Sequence, residues 1–166
     1  MKKNQYNDVG VAGEFFVAAY FASEGFLVAL PQAGVPGTDM FVGAVGGGPP
    51  MRIQVKTSRK ATKNDKQYGP IYLWQNSVKI SEALPNDSHW FACVRLKKWP
   101  QKPDDQPEVF FVPFADVIAR MKLVKAEINE FPGTWPYFWF TEEEAKKYRG
   151  EVGFTPLRAA MKLKST

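Results

Sequence analysis

The chain is poor in the residues that soft-metal and redox chemistry use: one cysteine, Cys93, and one histidine, His89. A lone cysteine excludes an internal disulfide framework, and the two residues together cannot assemble a Cys/His zinc site. Cys93, in an apolar stretch, is expected to be a small buried core residue rather than a nucleophile. There is no Gly-x-Ser-x-Gly, so Ser88-His89 is not read as part of a hydrolase triad. No apolar run approaches the ~20 residues of a membrane span. The opening MKKNQ has no leader-like apolar core, so a cytoplasmic protein without a membrane partner is expected. Charge is nearly balanced, with 22 Lys+Arg against 17 Asp+Glu and a net +5. Such an excess permits nucleic-acid binding without requiring it, so clustering matters more than the total.

What is present suits a folded protein. Hydrophobic residues make up 45% and charged ones 23% of 166 residues, a length for one domain with one sizeable core. We expect a single domain over residues 1–166, with a core at about 7–125. An aromatic segment and helix follow at 131–150, and a mobile basic tail holding Arg158, Lys162 and Lys164 covers 151–166. Residues 7–24 read as a helix capped by Asn7 or Asp8 and ended by Gly25. Its body is apolar nearly all round, which predicts burial on most sides. Glu14 stands out there. Its neighbours one turn away, Gly10, Val11, Val17 and Ala18, include no cation. Residues 26–30, 89–96 and 108–112 read as strands, 77–84 and 114–125 as helices, and 71–75 as strand or loop. Residues 131–140 hold six aromatics in ten, read as a packed strand, a dimer contact or a base-stacking surface. Thr141 and Glu144 form a capping box whose helix is expected to run to Arg149 and stop at Gly150.

The most informative stretch is 37–60, GTDMFVGAVGGGPPMRIQVKTSRK. Two apolar runs flank a Gly/Pro turn, the pattern of paired strands. Alternation sends Ile53, Val55 and Thr57 to one face and Arg52, Gln54 and Lys56 to the other. Asp39 opens the first strand. Between Lys56 and Lys66 lie five basic residues, Lys56, Arg59, Lys60, Lys63 and Lys66, against one acid, Asp65. This run is read as a phosphate-contacting loop, with the Thr57 and Ser58 hydroxyls assisting.

Asp39, then Gln54-Val55-Lys56, with Glu14 upstream, resembles the PD-(D/E)XK nuclease superfamily of restriction endonucleases and Holliday-junction resolvases. The sequence departs from the usual triplet by having Gln54 where an acid stands, and it has Thr38 before Asp39. The resemblance implies an αβββαβ core with a mixed central sheet flanked by helices. It implies a catalytic set of Asp39, Gln54, Lys56 and Glu14, and Mg²⁺ or Mn²⁺ held by Glu14, Asp39, Gln54 and the Val55 carbonyl. It also implies DNA as partner and a homodimer. Hard oxygen donors of this kind suit Mg²⁺, and losing one charge to Gln54 argues for one ion rather than two. The resulting expectation is a metal-dependent endodeoxyribonuclease acting on duplex or branched DNA. The alternatives are a nuclease-fold module that binds DNA without cutting, and a protein-interaction subunit using the aromatic segment.

Overall fold

The computed structural model describes residues 5–31, 36–130 and 136–163, and side chains for 8–31, 36–130 and 136–161. The expectations for Asn7 as a cap, for Lys162 and Lys164, and for 131–135 of the aromatic segment fall on side chains or residues outside these ranges. Helix α1 (Gln5–Ser23) starts before Asp8, which therefore lies in its first turn rather than at its cap. Its end is a Schellman motif. Phe26 N–H reaches Phe21 C=O and Gly25 N–H reaches Ala22 C=O, with Gly25 at φ +83° and the Phe21 and Phe26 rings in edge contact. One expectation for this helix is corrected. Val11 is 46% and Phe15 61% exposed, so α1 is buried along one face only, through Gly13, Val17 and Phe21. An outer-layer helix has a single sheet to pack against, whatever its composition.

That sheet has the order β1-β2-β3-β6-β7, from β1 (Leu27–Ala29), β2 (Met40–Gly43), β3 (Met51–Ser58), β6 (His89–Arg95) and β7 (Glu108–Pro113). All neighbours are antiparallel except β3 and β6, which are parallel, so the central sheet is mixed and flanked by helices, as expected. Parallel neighbours need a crossover, commonly a helix. Here it is made by a hairpin, β4 (Thr62–Asp65) with β5 (Gly69–Gln75), and a 3₁₀ turn (Val78–Glu82). The 77–84 helix is thus one 3₁₀ turn, and 71–75 is strand. The hairpin joins β8 (Tyr137–Thr141) in a second sheet, β4-β5-β8. Much of the basic run is therefore strand rather than loop.

Period-two alternation on the fully buried β6 sorts the core into two layers. Trp90, Ala92 and Val94 pack with Val17, Phe21, Met51, Ile53 and Val55 under α1. Phe91 and Cys93 pack with Tyr72, Trp74, Phe138 and Phe140 of the second sheet and with helix α2 (Phe114–Glu130). Cys93 is a core residue, and burial pushes its thiol pKa far up. Phe138 and Phe140 are likewise core, so this part of the aromatic segment is a packed strand, with Tyr137 and Trp139 on its other face.

The C-terminal expectation is overturned. The Thr141–Glu144 capping box forms, but helix α3 (Glu142–Lys146) ends early. Phe111 N–H takes the Tyr148 carbonyl and Arg149 bridges Phe110, so the edge of β7 captures the chain and breaks the helix. Gly150, at φ +52°, then opens helix α4 (Gly150–Leu163). Phe154, Leu157 and Met161, at 0%, 0% and 3% exposure, are core. Residues 151–161 are not a basic tail, and Arg158 is engaged by Glu24 and Glu151. No helix among the described residues is long and apolar enough to cross a membrane.

Candidate active site

Strand β3 sends its two faces into different surroundings. Met51, Ile53 and Val55 are buried toward α1, while Arg52, Gln54 and Lys56 are half-buried on the opposite face. In a strand, the N–H and C=O of one residue point to the same edge. Arg52 N–H goes to Ser88 and Ser58 C=O receives Leu96 N–H, so the even-numbered residues serve the β6 side. Ile53 C=O receives Asp39 N–H at 2.9 Å, so the odd-numbered ones serve the β2 side. The β2 ladder begins at Met40 opposite Ile53, and beyond it no described strand reaches β3. The Asp39 carboxylate takes that strand's place: Val55 N–H donates to its Oδ2 at 2.7 Å. The Val55 carbonyl is left on the same open edge, beside the same carboxylate. Sequence spacing paired these residues; the ending of β2 is what brings them together.

Glu14 arrives from α1. A Cβ on Gly13 would lie 1.9 Å from Thr57 Oγ1, so the helix touches β3 there at a separation only glycine permits. The contact sets Glu14 beside Asp39. Its carboxyl pKa is raised, first by burial and then by the Asp39 charge. Thr57 Oγ1 is buried against the helix without a partner, so that hydroxyl faces α1 and not a phosphate. The Ser58 hydroxyl accepts Ala61 N–H and so closes the turn into β4.

Gln54 and Lys56 line a cleft of about 750 Å³ between β3 and the second sheet, in which neither Glu14 nor Asp39 takes part. The predicted set is thus split. Glu14, Asp39 and the Val55 carbonyl form one group at the open edge; Gln54 and Lys56, flanking Val55, form the other. Arg59 is tied to the Trp99 carbonyl, whereas Lys60, Lys63 and Lys66 are exposed, Lys63 on β4 and Lys66 in the hairpin turn.

Three residues escaped the sequence-derived set. Arg52 shares the alternation of Gln54 and Lys56, so period two alone could have added it. Asn76 comes from the end of β5 and His89 from the start of β6, and no local pattern ties either to Gln54. His89 is 6% exposed, and burial, then Arg52, lower its pKa to about 4, against a weaker opposing bond to the Gly37 backbone. The imidazole is therefore neutral in the fold at pH values where the unfolded chain already takes the proton. Stability from this group is complete above pH 6.5 and is lost as pH falls toward 4. Denaturant titrations are expected to show a loss of up to about 3 kcal/mol across that window, at ~1.36 kcal/mol per unit. His89→Gln should remove most of the slope; an unchanged slope would assign it to other groups.

As a cation site, the open edge has the right donor chemistry with few charges. Among the described residues no three His, Cys, Asp or Glu side chains come together. Two carboxylates and a backbone carbonyl are hard oxygen donors, a set compatible with one Mg²⁺ that keeps several waters. Burial first and the Asp39 charge second raise the Glu14 pKa, and a cation bound there would act against both.

Neither a family model nor a curated protein matches the sequence. Among solved structures, the chain resembles a bacterial homing endonuclease, I-Ssp6803I, at a TM-score of 0.53 and 13% identity, over 92% of this chain and 91% of that one. At that identity the likeness is one of fold: the mixed α/β architecture is nuclease-like.

Proposed function

We propose that this protein is a divalent-metal-dependent endonuclease that hydrolyses DNA phosphodiester bonds. The observation that carries the reading is the Asp39 carboxylate bound to Val55 N–H at the end of β2, beside Glu14 and next to Lys56 on β3. The likeness in fold to a homing endonuclease supports the same reaction class. A Mg²⁺ or Mn²⁺ held by Glu14, Asp39 and the Val55 carbonyl would polarise the scissile phosphate and ease deprotonation of the attacking water. Lys56 makes no ion pair among the described residues, so its ammonium is available to the charge that develops on the phosphate oxygens. Gln54, one residue from Val55, presents a neutral amide to the cleft and orients what enters it. Lys60, Lys63 and Lys66 hold backbone phosphates beyond the cut. The protein is taken to work as a homodimer in the cytoplasm, as a single domain.

A non-cutting DNA-binding module is the second reading. It is favoured by Gln54 in place of an acid and by the short supply of carboxylates.

Incubating plasmid, linear duplex and four-way-junction DNA with Mg²⁺ or Mn²⁺ tests both. Cleavage that stops in EDTA, and that Lys56→Ala slows about a hundredfold, is the expected result. Equal rates for both proteins, or cutting in EDTA, would sink the assignment, and DNA binding without any cutting would promote the second reading. In the same binding assay, neutralising Lys60 and Lys63 should flatten the slope of log K against log salt by up to about 1.8, at ~0.9 per phosphate.

A further inference from the structure

The cleft on the polar face of β3 carries more than the Gln54 and Lys56 groups that bond hydrolysis at Asp39 would draw on. Arg52 and Lys56 stand four residues apart along its β3 wall, about 13 Å at ~3.3 Å per residue. Among the described residues no carboxylate lines the cleft, and neither cation's side chain has an ion pair or hydrogen bond. Half-buried cations without a counter-charge make a site for an anion.

The remaining lining asks for more than an anion. Asn76, 7% exposed, accepts Ser77 N–H on Oδ1 at 3.0 Å, which fixes its amide orientation and leaves Nδ2 as a donor without a partner. His89 Nε2 also has no partner, and in the neutral ring it is an acceptor when Nδ1 carries the proton. The ring centroid lies 4.2 Å from that of Phe114, which also lines the cleft, so an aromatic surface adjoins His89. Unpaired buried donors and acceptors cost free energy until a ligand satisfies them. An anion alone would satisfy neither the acceptor nor the aromatic surface. A nucleobase edge always sets a donor beside an acceptor, and its faces stack on aromatic rings. The volume, about 750 Å³, admits a nucleotide.

We propose that this cleft is a subsite for one nucleotide that has left the base stack, its phosphate on Arg52 and its base edge against Asn76 and His89. This rests on the proposed action on DNA for the source of that nucleotide; a stacked base could not reach such a site.

The test runs in EDTA, so that cleavage plays no part and the metal-dependent reading stands or falls separately. Full-length protein is titrated with dAMP, deoxyadenosine and inorganic phosphate, and with a duplex bearing one unpaired adenosine beside its fully paired counterpart. We expect dAMP to bind at least tenfold more tightly than phosphate, and the bulged duplex tenfold more tightly than the paired one. Arg52→Gln should weaken dAMP about tenfold and leave deoxyadenosine unchanged. Asn76→Leu should weaken dAMP and deoxyadenosine alike but not phosphate; Asn76→Ser makes the same comparison if the leucine variant fails to fold. Phosphate binding as tightly as dAMP would reduce the cleft to an anion site and overturn the proposal. So would dAMP binding that neither Arg52→Gln nor the Asn76 variants alter, or no detectable binding. Binding of dAMP without preference for the bulge would overturn the assignment to a DNA strand.

Discussion

Asp39→Asn is expected to lower metal-dependent DNA cleavage about a thousandfold while leaving the fold intact. The asparagine side-chain oxygen can still accept the Val55 N–H that Asp39 Oδ2 holds at 2.7 Å, so the open edge of β3 stays closed. What disappears is one of the two negative charges at the site. With Gln54 already neutral, Glu14 would be left as the only carboxylate, too weak a donor set for a hydrated divalent ion. Removing one preorganised electrostatic partner of a reacting group costs roughly 10²–10³ in rate, and loss of the ion adds to it. Two measurements check this. Cleavage rates should fall as stated, and melting in EDTA should stay within about 2 °C of the wild type, which for this size is under ~1 kcal/mol. A large loss of stability in EDTA would make Asp39 a structural cap of β3. Full activity in the variant would remove Asp39 from the site altogether.

Phe154→Ala should have the largest effect on stability. Phe154 is fully buried and meets the Tyr20, Phe21, Phe26 and Phe111 rings at centroid distances of 5.2, 5.7, 6.0 and 5.2 Å. It joins α4 to α1, the residue before β1 and β7 at once, so the site left by truncation is walled by three separate elements and has little freedom to collapse. Phenylalanine-to-alanine changes in such settings cost about 3–5 kcal/mol. For a chain of this length that corresponds to a drop of roughly 6–20 °C in melting temperature. A calorimetric shift below 2 °C would mean that α4 is not docked, and would restore the reading of residues 151–166 as a tail. Because Glu14 is on α1, cleavage should fall in parallel near the new melting temperature and not far below it.

Both experiments turn on the difference between what a local pattern can say and what requires the fold. The polar alternation of Arg52, Gln54 and Lys56 and the Schellman end at Gly25 follow from the chain's own periods and from glycine's tolerance of φ +83°. So does the capping box of Thr141 and Glu144, which forms although the helix it starts is cut short. Asp39 and Val55 are related by spacing in the sequence, yet the bond between them is not legible there, because it exists only where β2 stops short of β3's end. The α4 helix lies in the stretch read as a tail: Phe154, Leu157 and Met161 have helical spacing, but only packing against α1 and β7 makes them core. The break at 148–149 comes from β7, some forty residues earlier in sequence.

By itself, then, the sequence determined the elements with strong periodicity, the mixed α/β class and the candidates Glu14, Asp39, Gln54, Val55 and Lys56. The elements rest on interactions within a few residues of chain, and the candidates on the resemblance that their order and spacing carry. Tertiary structure decided which of the candidates meet. Close approach at Gly13 and Thr57 sets Glu14 beside Asp39, and the alternation of β3 turns Gln54 and Lys56 into a cleft that neither acid lines. It also decided that Asn76 and His89 share a cleft with Arg52, since the hairpin of β4 and β5 that supplies one wall is an excursion between β3 and β6. Sequence neighbours report local geometry; a site built from five separate segments depends on packing contacts that no single segment encodes.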